Sequence, residues 1–360
     1  MATRRPAPVQ RRSRAPIAGV VAALVTALLG PVLLGTASSA VADGQEPRRA
    51  GAADGEAPPQ EPPAPTRLRV VTYNAGAGQS VEQAVADVER LVAQDPDVIA
   101  LQEFSSWEKR VAVRERWLDC DGCVWDALMP VAAVPGGLPI LYRADRLQLV
   151  DQATTMVVPE RYVGPRGAGP STLRARYVNR VRLKDLRTGR AVTVLNTHAV
   201  PSVQGRDGGP NPRMRARLAM YRDHMAGLQA LVTEAAQRNG LVAVTGDMNV
   251  NYRRDRVLRP EMFPVARLGG VGLTVSYAAL GEPSTGTHVL PNGNDLRLID
   301  QVWFSPLRPF APTGQQLGEG YASDHRPVLV DFAVSTRRGW VPPAVEPDEQ
   351  VEPTGTEPAR

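Results

Sequence analysis

Lysine is nearly missing from this chain: Lys109 and Lys184 are the only two among 42 basic side chains, so arginine carries almost all the positive charge. A cluster of arginines therefore says little about any one place. Cysteine is as scarce, with Cys120 and Cys123 alone in Asp119-Cys120-Asp121-Gly122-Cys123. Two thiols are too few for a structural zinc site, and nothing beside them resembles a thioredoxin-like redox unit. No internal repeat or linker interrupts the middle of the chain, which favours one large domain over several.

What is present falls into four parts. Residues 1–42 hold Arg4, Arg5, Arg11, Arg12 and Arg14, an apolar run over about 17–34, and then Ala40-Val41-Ala42. That order reads as a secretory signal peptide with its cleavage site, giving a secreted, extracellular product with no stable transmembrane segment. Left uncleaved, the same run is long enough to serve as an N-terminal membrane anchor. Residues 43–66 and 335–360 are rich in Pro and Glu with little apolar mass, and are expected to be a disordered linker and tail. The core, 67–334, holds 32 basic and 27 acidic side chains. This excess of positive charge suits a polyanionic substrate or an acidic lipid surface equally well. In an exported chain, Cys120 and Cys123 are expected to form a small disulfide that stiffens one loop.

The core reads as alternating strands and helices. A strand is expected over 68–74, a helix over 81–91 where Val81, Val85, Val88 and Leu91 recur at helical spacing, and a strand over 98–101 after Asp95-Pro96. Further strands are expected over 138–142, 147–150, 177–183, 191–195, 241–245, 296–304 and 327–334, with 305–321 mainly loop. Met214, Leu218, Tyr221, Met225, Leu228, Val232 and Ala235 mark the longest helix, capped near Asn211-Pro212. Its stripe is packing surface. A strand, a helix and a strand within 35 residues open a layered α/β domain, and the turn-rich stretch 184–190 makes its sheet partly antiparallel.

The residues that could carry chemistry sit at the strand ends. Thr72-Tyr73-Asn74, Leu101-Gln102-Glu103, Asn196-Thr197-His198, Gly246-Asp247-Met248-Asn249 and Ser323-Asp324-His325 each place a polar group at the end of an apolar run or beside one. Singly, each is an ordinary turn, a solvated acid or a surface histidine. Together they are the groups that hold a hard divalent cation and activate water against a phosphate ester. Asp247 and Asn249 share a face if that stretch is extended.

These motifs, with Leu298-Ile299-Asp300, stand in the order that closely resembles the endonuclease/exonuclease/phosphatase superfamily over nearly all of 67–334. The resemblance implies an α/β four-layer sandwich with two packed mixed β-sheets flanked by helices. It implies that Glu103 and Asn74, with help from Asp324, hold Mg2+ or Mn2+, with Ca2+ as a possible auxiliary ion. Asp247 would position the attacking water, Asn249 would hold a phosphate oxygen, and His325, oriented by Asp300, would contact the scissile phosphate. His198 resembles the second histidine of secreted deoxyribonucleases and sphingomyelinases, although the carboxylate that supports it there has no counterpart before 138–143. The product would be a monomeric phosphoesterase.

Its ester is less clear from sequence. Arg174, Arg176, Arg180 and Arg182 share strand parity and could line a basic face for nucleic acid, with Tyr177 beside them supporting phosphate binding. Trp303, Phe304 and Phe310 could instead form an apolar edge that meets a phospholipid surface. Another phosphatase activity, and a non-catalytic secreted binding module on the same scaffold, complete the alternatives. His224 and His288 receive no role.

Overall fold

A computed structural model describes residues 65–163, 172–238, 240–289, 296–306 and 310–335. The expected signal, nearly all of the linker and the tail beyond residue 335 lie outside them. The chain opens with β1 (Thr66–Asn74), α1 (Val81–Val92), β2 (Val98–Gln102), α2 (Trp107–Trp117), β3 (Trp125–Leu128), the one-turn α3 (Ala133–Gly136) and β4 (Ile140–Arg143). A second run holds β5 (Leu147–Val158), the two-residue strands β6 (Arg161–Tyr162) and β7 (Thr172–Leu173), β8 (Arg176–Asp185), β9 (Ala191–His198) and α4 (Arg215–Ala236). The last comprises β10 (Leu241–Asp247), α5 (Tyr252–Leu258), α6 (Pro264–Arg267), β11 (Thr274–Val275), α7 (Ser276–Leu280), β12 (Asp300–Phe304), β13 (Phe310–Leu317) and β14 (Val328–Val334).

Two six-stranded sheets result, ordered β13-β14-β1-β2-β4-β3 and β11-β12-β10-β9-β8-β5. Each has one central parallel pair, β1 with β2 and β10 with β9, and is antiparallel elsewhere. Alternation along the strands explains the layering. In β1, Leu68 and Val70 point into the core between the sheets, where Phe304 and Phe332 meet edge to face at 5.4 Å. Val71 and Tyr73 point outward, onto Val88 and Leu91 of α1 and Val113 of α2. On the far side, Leu218, Tyr221, Met225, Leu228, Val232 and Ala235 of α4 are buried against the second sheet. The fold is thus an α/β sandwich of two mixed sheets flanked by helices, as expected.

Local signals account for the helix starts. Ser80 caps α1 in a reciprocal capping box with Gln83, and Ser106 accepts from the Lys109 amide at the start of α2. Asn211 caps a 3-10 turn over Pro212–Met214 that leads into α4. The stretch expected to be loop, 305–321, instead contains β13. Its Pro312 and Gly314 flank a break in the register with β14, tolerated because this strand lies at a sheet edge. β5 runs eight residues beyond the expected end. Its alternating polar residues belong to an edge strand with one open face.

Candidate active site

A parallel pair brings two strand C-termini to the same edge, and antiparallel neighbours begin there. Asn74 ends β1 and Glu103 follows β2; His198 ends β9 and Asp247 ends β10; Asp300 starts β12, Arg176 starts β8, and His325 precedes β14. Asp247 stands in register with both His198 and Asp300. Across the two sheets, Asn74 Nδ2 lies 3.2 Å from Asp247 Oδ2 and 3.4 Å from Glu103 Oε1. His198 Nε2 is 3.4 Å from the same Asp247 oxygen and 3.9 Å from Glu103 Oε1. The scattered motifs form one site.

Backbone geometry aims these groups. Gly246 has φ +154°, and a Cβ there would overlap the Thr197 carbonyl oxygen, so only glycine lets β10 lie this close to β9 just before Asp247. Glu103 and Asn249 adopt left-handed φ of 58° and 53°. Asparagine tolerates that conformation; for glutamate it stores strain of the kind that collects at functional sites. Because of this turn, Asn249 does not simply continue the strand: its amide N–H donates to Asp247 Oδ1 at 2.8 Å, and its side chain donates to Asp247 Oδ2 and the Ala199 carbonyl.

The floor is a buried polar network. Gln102 Nε2 donates to Thr72 Oγ1 and Asn196 Oδ1, at 3.1 and 2.7 Å, while Asn196 Nδ2 donates to the Leu101 carbonyl. These bonds tie the two sheets together directly beneath the edge that carries Asn74, Glu103, His198 and Asp247. The loop bearing His325 is fastened as firmly: Ser323 Oγ donates to the Asn74 carbonyl at 2.8 Å, and the Ala322 amide donates to the Asp87 carboxylate.

His325 Nδ1 is 2.8 Å from Asp300 Oδ2. Burial alone would lower the imidazole, but the charge and hydrogen bond of Asp300, with Asp247 and Asp324 behind it, push it up to about 10. The pairing with Asp300 thus favours a proton on the ring and leaves Nε2 as the nitrogen turned away from that bond. Burial would raise the Asp247 carboxyl; His198 by hydrogen bond and charge, His325 by charge and the Asn249 amide instead hold it well below the usual carboxylate range. Asp247 is thus an anion between two imidazoles. Arg176 is lowered to about 10 by burial, against the pull of Asp247 and Glu103.

A cavity of about 540 Å³ opens beside Glu103 and His198. Arg174, Arg176 and Tyr177 line it together with Val134, Leu138 and Leu173. The expected four-arginine face is not continuous, because Arg180 is buried in ion pairs with Asp151 and Glu234, and Arg182 donates to the Arg238 carbonyl. Trp303, Phe304 and Phe310 are buried core residues, which removes them as a lipid-facing edge.

Asp324 does not join Asn74 and Glu103 by any hydrogen bond among the described residues. Its carboxylate lies 3.5 Å from His288 Nε2 and 4.0 Å from His325 Nε2. His288 and Arg297 were not singled out from sequence, yet His288 stacks 4.7 Å from the His325 ring and Arg297 acts electrostatically on Asp247 and Asp300. The one available signal was that His288 is among only four histidines. The Cα atoms of Cys120 and Cys123 are 5.3 Å apart, a separation a disulfide can span.

Glu103 and Asp247 both accept from the side-chain amide of Asn74, and carboxylate oxygens gathered this closely are donors of the kind a hard cation takes. Asp247, Asp300 and His325 also hold donor atoms within 4.8 Å of one another, as do His288, Asp324 and His325. Either cluster could hold a divalent ion; Glu103 belongs to neither.

Two packed mixed sheets with carboxylates, amides and imidazoles gathered at one edge define a sandwich of the phosphoesterase type. The chain belongs to the endonuclease/exonuclease/phosphatase family, whose sequence pattern it matches over residues 71–325. Among solved structures it is similar to a family member from Bacteroides thetaiotaomicron, with TM-score 0.54, 18% identity, and coverage of 75% of this chain and 96% of that one. It is also similar to a mannosyl-6-phosphatase of the same organism (TM-score 0.52, 18% identity, 74% and 99% covered). A third is D. rerio TDP2 complexed with a single-strand DNA product (TM-score 0.52, 15% identity, 75% and 100% covered). At these identities the likeness is one of fold. No curated protein matches the sequence.

Proposed function

We propose that the protein is an exported, divalent-metal-dependent phosphodiesterase that hydrolyses nucleic acid. The observation that carries this reading is the cavity beside Glu103 and His198, whose Arg174, Arg176 and Tyr177 offer charge and an aromatic ring next to the reacting position. A phosphate flanked by a nucleoside fits such a mixed lining. One structurally similar protein, TDP2, was solved with a DNA product, which supports the reading at the level of fold.

In this proposal Glu103 and Asn74, with Asp247 adjacent, hold Mg2+ or Mn2+. The ion, when bound, withdraws charge from the phosphate oxygens. Asp247, kept anionic by its two imidazole neighbours, accepts a hydrogen bond from the attacking water and orients it. The His325 Nε2–H donates to a phosphate oxygen, and Asp300 keeps that ring charged and in place. His198 Nε2 supplies a second donor to the equatorial oxygens. Export by residues 1–42 and a Cys120–Cys123 disulfide belong to the same proposal, supported by the sequence order and the 5.3 Å Cα separation.

A second reading rests on a different observation. Trp107 and Val131 are 52% and 77% exposed and both meet Arg110, and Val134 lines the cavity. Exposed apolar side chains of this kind suit contact with a bilayer surface that presents a phospholipid headgroup. Purified protein assayed with Mg2+ against single- and double-stranded DNA, RNA, sphingomyelin vesicles and bis-p-nitrophenyl phosphate separates the two. Cleavage of DNA or RNA that is lost in Glu103→Gln supports the nuclease. Turnover of sphingomyelin alone replaces it with the lipid reading, and turnover of no substrate by a folded, metal-binding protein favours a binding module.

A further inference from the structure

We propose that His288, Asp324 and His325 form a second metal site, selective for zinc and similar borderline ions, whose occupation shuts off the hydrolytic site. The donor atoms of the three residues lie within 4.8 Å of one another. Two imidazole nitrogens and one carboxylate oxygen are the donors of Zn2+ sites, whereas Mg2+ takes oxygens. Zinc–ligand bonds of about 2.0–2.1 Å put tetrahedral neighbours about 3.4 Å apart. His288 Nε2 lies 3.5 Å from Asp324 Oδ2 and His325 Nε2 lies 4.0 Å from Asp324 Oδ1, so each imidazole stands near that spacing from one oxygen of the carboxylate.

Two further features make this a built site. His325 presents Nε2 to the cluster while Nδ1 is held by Asp300 at 2.8 Å, which is the carboxylate–imidazole–metal arrangement that fixes a ligand's ring and tautomer. His288 is pinned on both sides: its amide donates to the Arg297 carbonyl at 3.3 Å, the Val289 amide donates to the Asp324 carbonyl at 2.8 Å, and the Arg326 amide donates to the Thr287 carbonyl at 2.7 Å. Little backbone movement is needed to bring the ligands together. Binding there requires the Nε2 proton of His325 to leave to solvent as the ion takes its place, so uptake of the metal is coupled to release of a proton.

The consequence for turnover rests on the proposed role of His325. Its Nε2 is the atom assigned to the scissile phosphate, so a zinc ion on that nitrogen removes the donor while Glu103 and Asn74 stay able to take Mg2+. Inhibition should then be relieved by losing His288, which the hydrolytic site does not use.

Calorimetric titration of the Mg2+-free protein with Zn2+ tests the site without recourse to activity, and visible absorption of the Co2+ form reports its ligands. Wild type should take up zinc here, with affinity at least tenfold lower in His288→Gln and in Asp324→Asn and within about twofold of wild type in Glu103→Gln. In the Mg2+-supported assay, the zinc concentration for half-inhibition should rise at least tenfold in His288→Gln. Equal zinc affinity in wild type and both site variants, each folded by circular dichroism, overturns the metal site. Tight zinc binding that leaves hydrolysis running overturns the switch. Loss of all hydrolysis in every protein with zinc binding intact overturns the function proposed above and leaves the site standing.

Discussion

Two buried histidines, His325 before β14 and His224 on α4, are driven in opposite directions. His224, fully buried in α4, meets the Thr197 hydroxyl through Nε2 at 2.8 Å; burial, then the charges of Arg176 and His198, push it down to about 3. His325, almost as buried, meets a carboxylate and is pushed up to about 10. Desolvation acts on both in the same sense. The partner decides: a hydroxyl leaves the ring favouring its neutral form, and an aspartate favours its charged form. The same chain thus uses one side-chain type on the helix outside the second sheet as packing, and at the edge of the first sheet as a charged group.

The largest break in that comparison is removal of the charged ring. His325→Ala should lower kcat by about 10³-fold in a protein still folded by circular dichroism, the scale of a lost acid or charge donor, with a lower thermal midpoint because Asp300 stays buried without its partner. Asp300→Asn, which keeps the ring but removes the carboxylate that holds its charge, should cost about 10²-fold. Steady-state rates on bis-p-nitrophenyl phosphate or DNA measure both, and near-normal turnover in either folded variant would withdraw the dyad from the mechanism.

The interior histidine should answer in stability instead. Thr197→Val leaves His224 Nε2 without its partner and should cost about 1–3 kcal/mol in urea unfolding, the range for an orphaned buried polar group. His224 also predicts an acid response. Its folded value lies near 3, below the ordinary 6.5, so its contribution is full above about 6.5 and is lost as pH falls toward 3. His224→Gln should unfold less steeply between those values; identical acid curves would mean that His224 takes up its proton without unfolding.

Much of this edge was legible in the sequence, because strand ends and motif order are local signals. Asn74, Glu103, His198 and Asp247 converge as their positions after apolar runs implied, and His325 joins them from just before a strand. What escaped had non-local causes. His224 stands three residues from Tyr221 on α4 and so belongs to its buried face, but only the neighbouring strand supplies Thr197 as a partner. His288 gains its place from bridges to Arg297 and His325 that no spacing rule contains. β13 was hidden because Pro312 and Gly314 read as loop, and only its position at a sheet edge makes them tolerable. Arg180 shared parity with Arg176, yet Asp151 and Glu234, distant in sequence, take it out of the cavity.

Two buried aspartates extend the comparison to a smaller effect. Asp247 has imidazoles on both sides and stays ionised; Asp255 of α5 has, for Oδ2, the Val265 amide at 2.8 Å, and its Oδ1 is buried with no hydrogen-bond partner. Burial pushes Asp255 up to about 7, with the Val265 amide and Arg259 opposing. A carboxyl whose folded value is raised stabilises fully below its unfolded value near 3.8, and loses that contribution as pH rises through about 7. Asp255→Asn, neutral throughout, still offers an oxygen to the Val265 amide. Its urea midpoint relative to wild type should therefore climb between pH 5 and pH 8. A constant offset across that interval would mean that Asp255 is already ionised in the fold, so that burial without a cationic partner does not govern it.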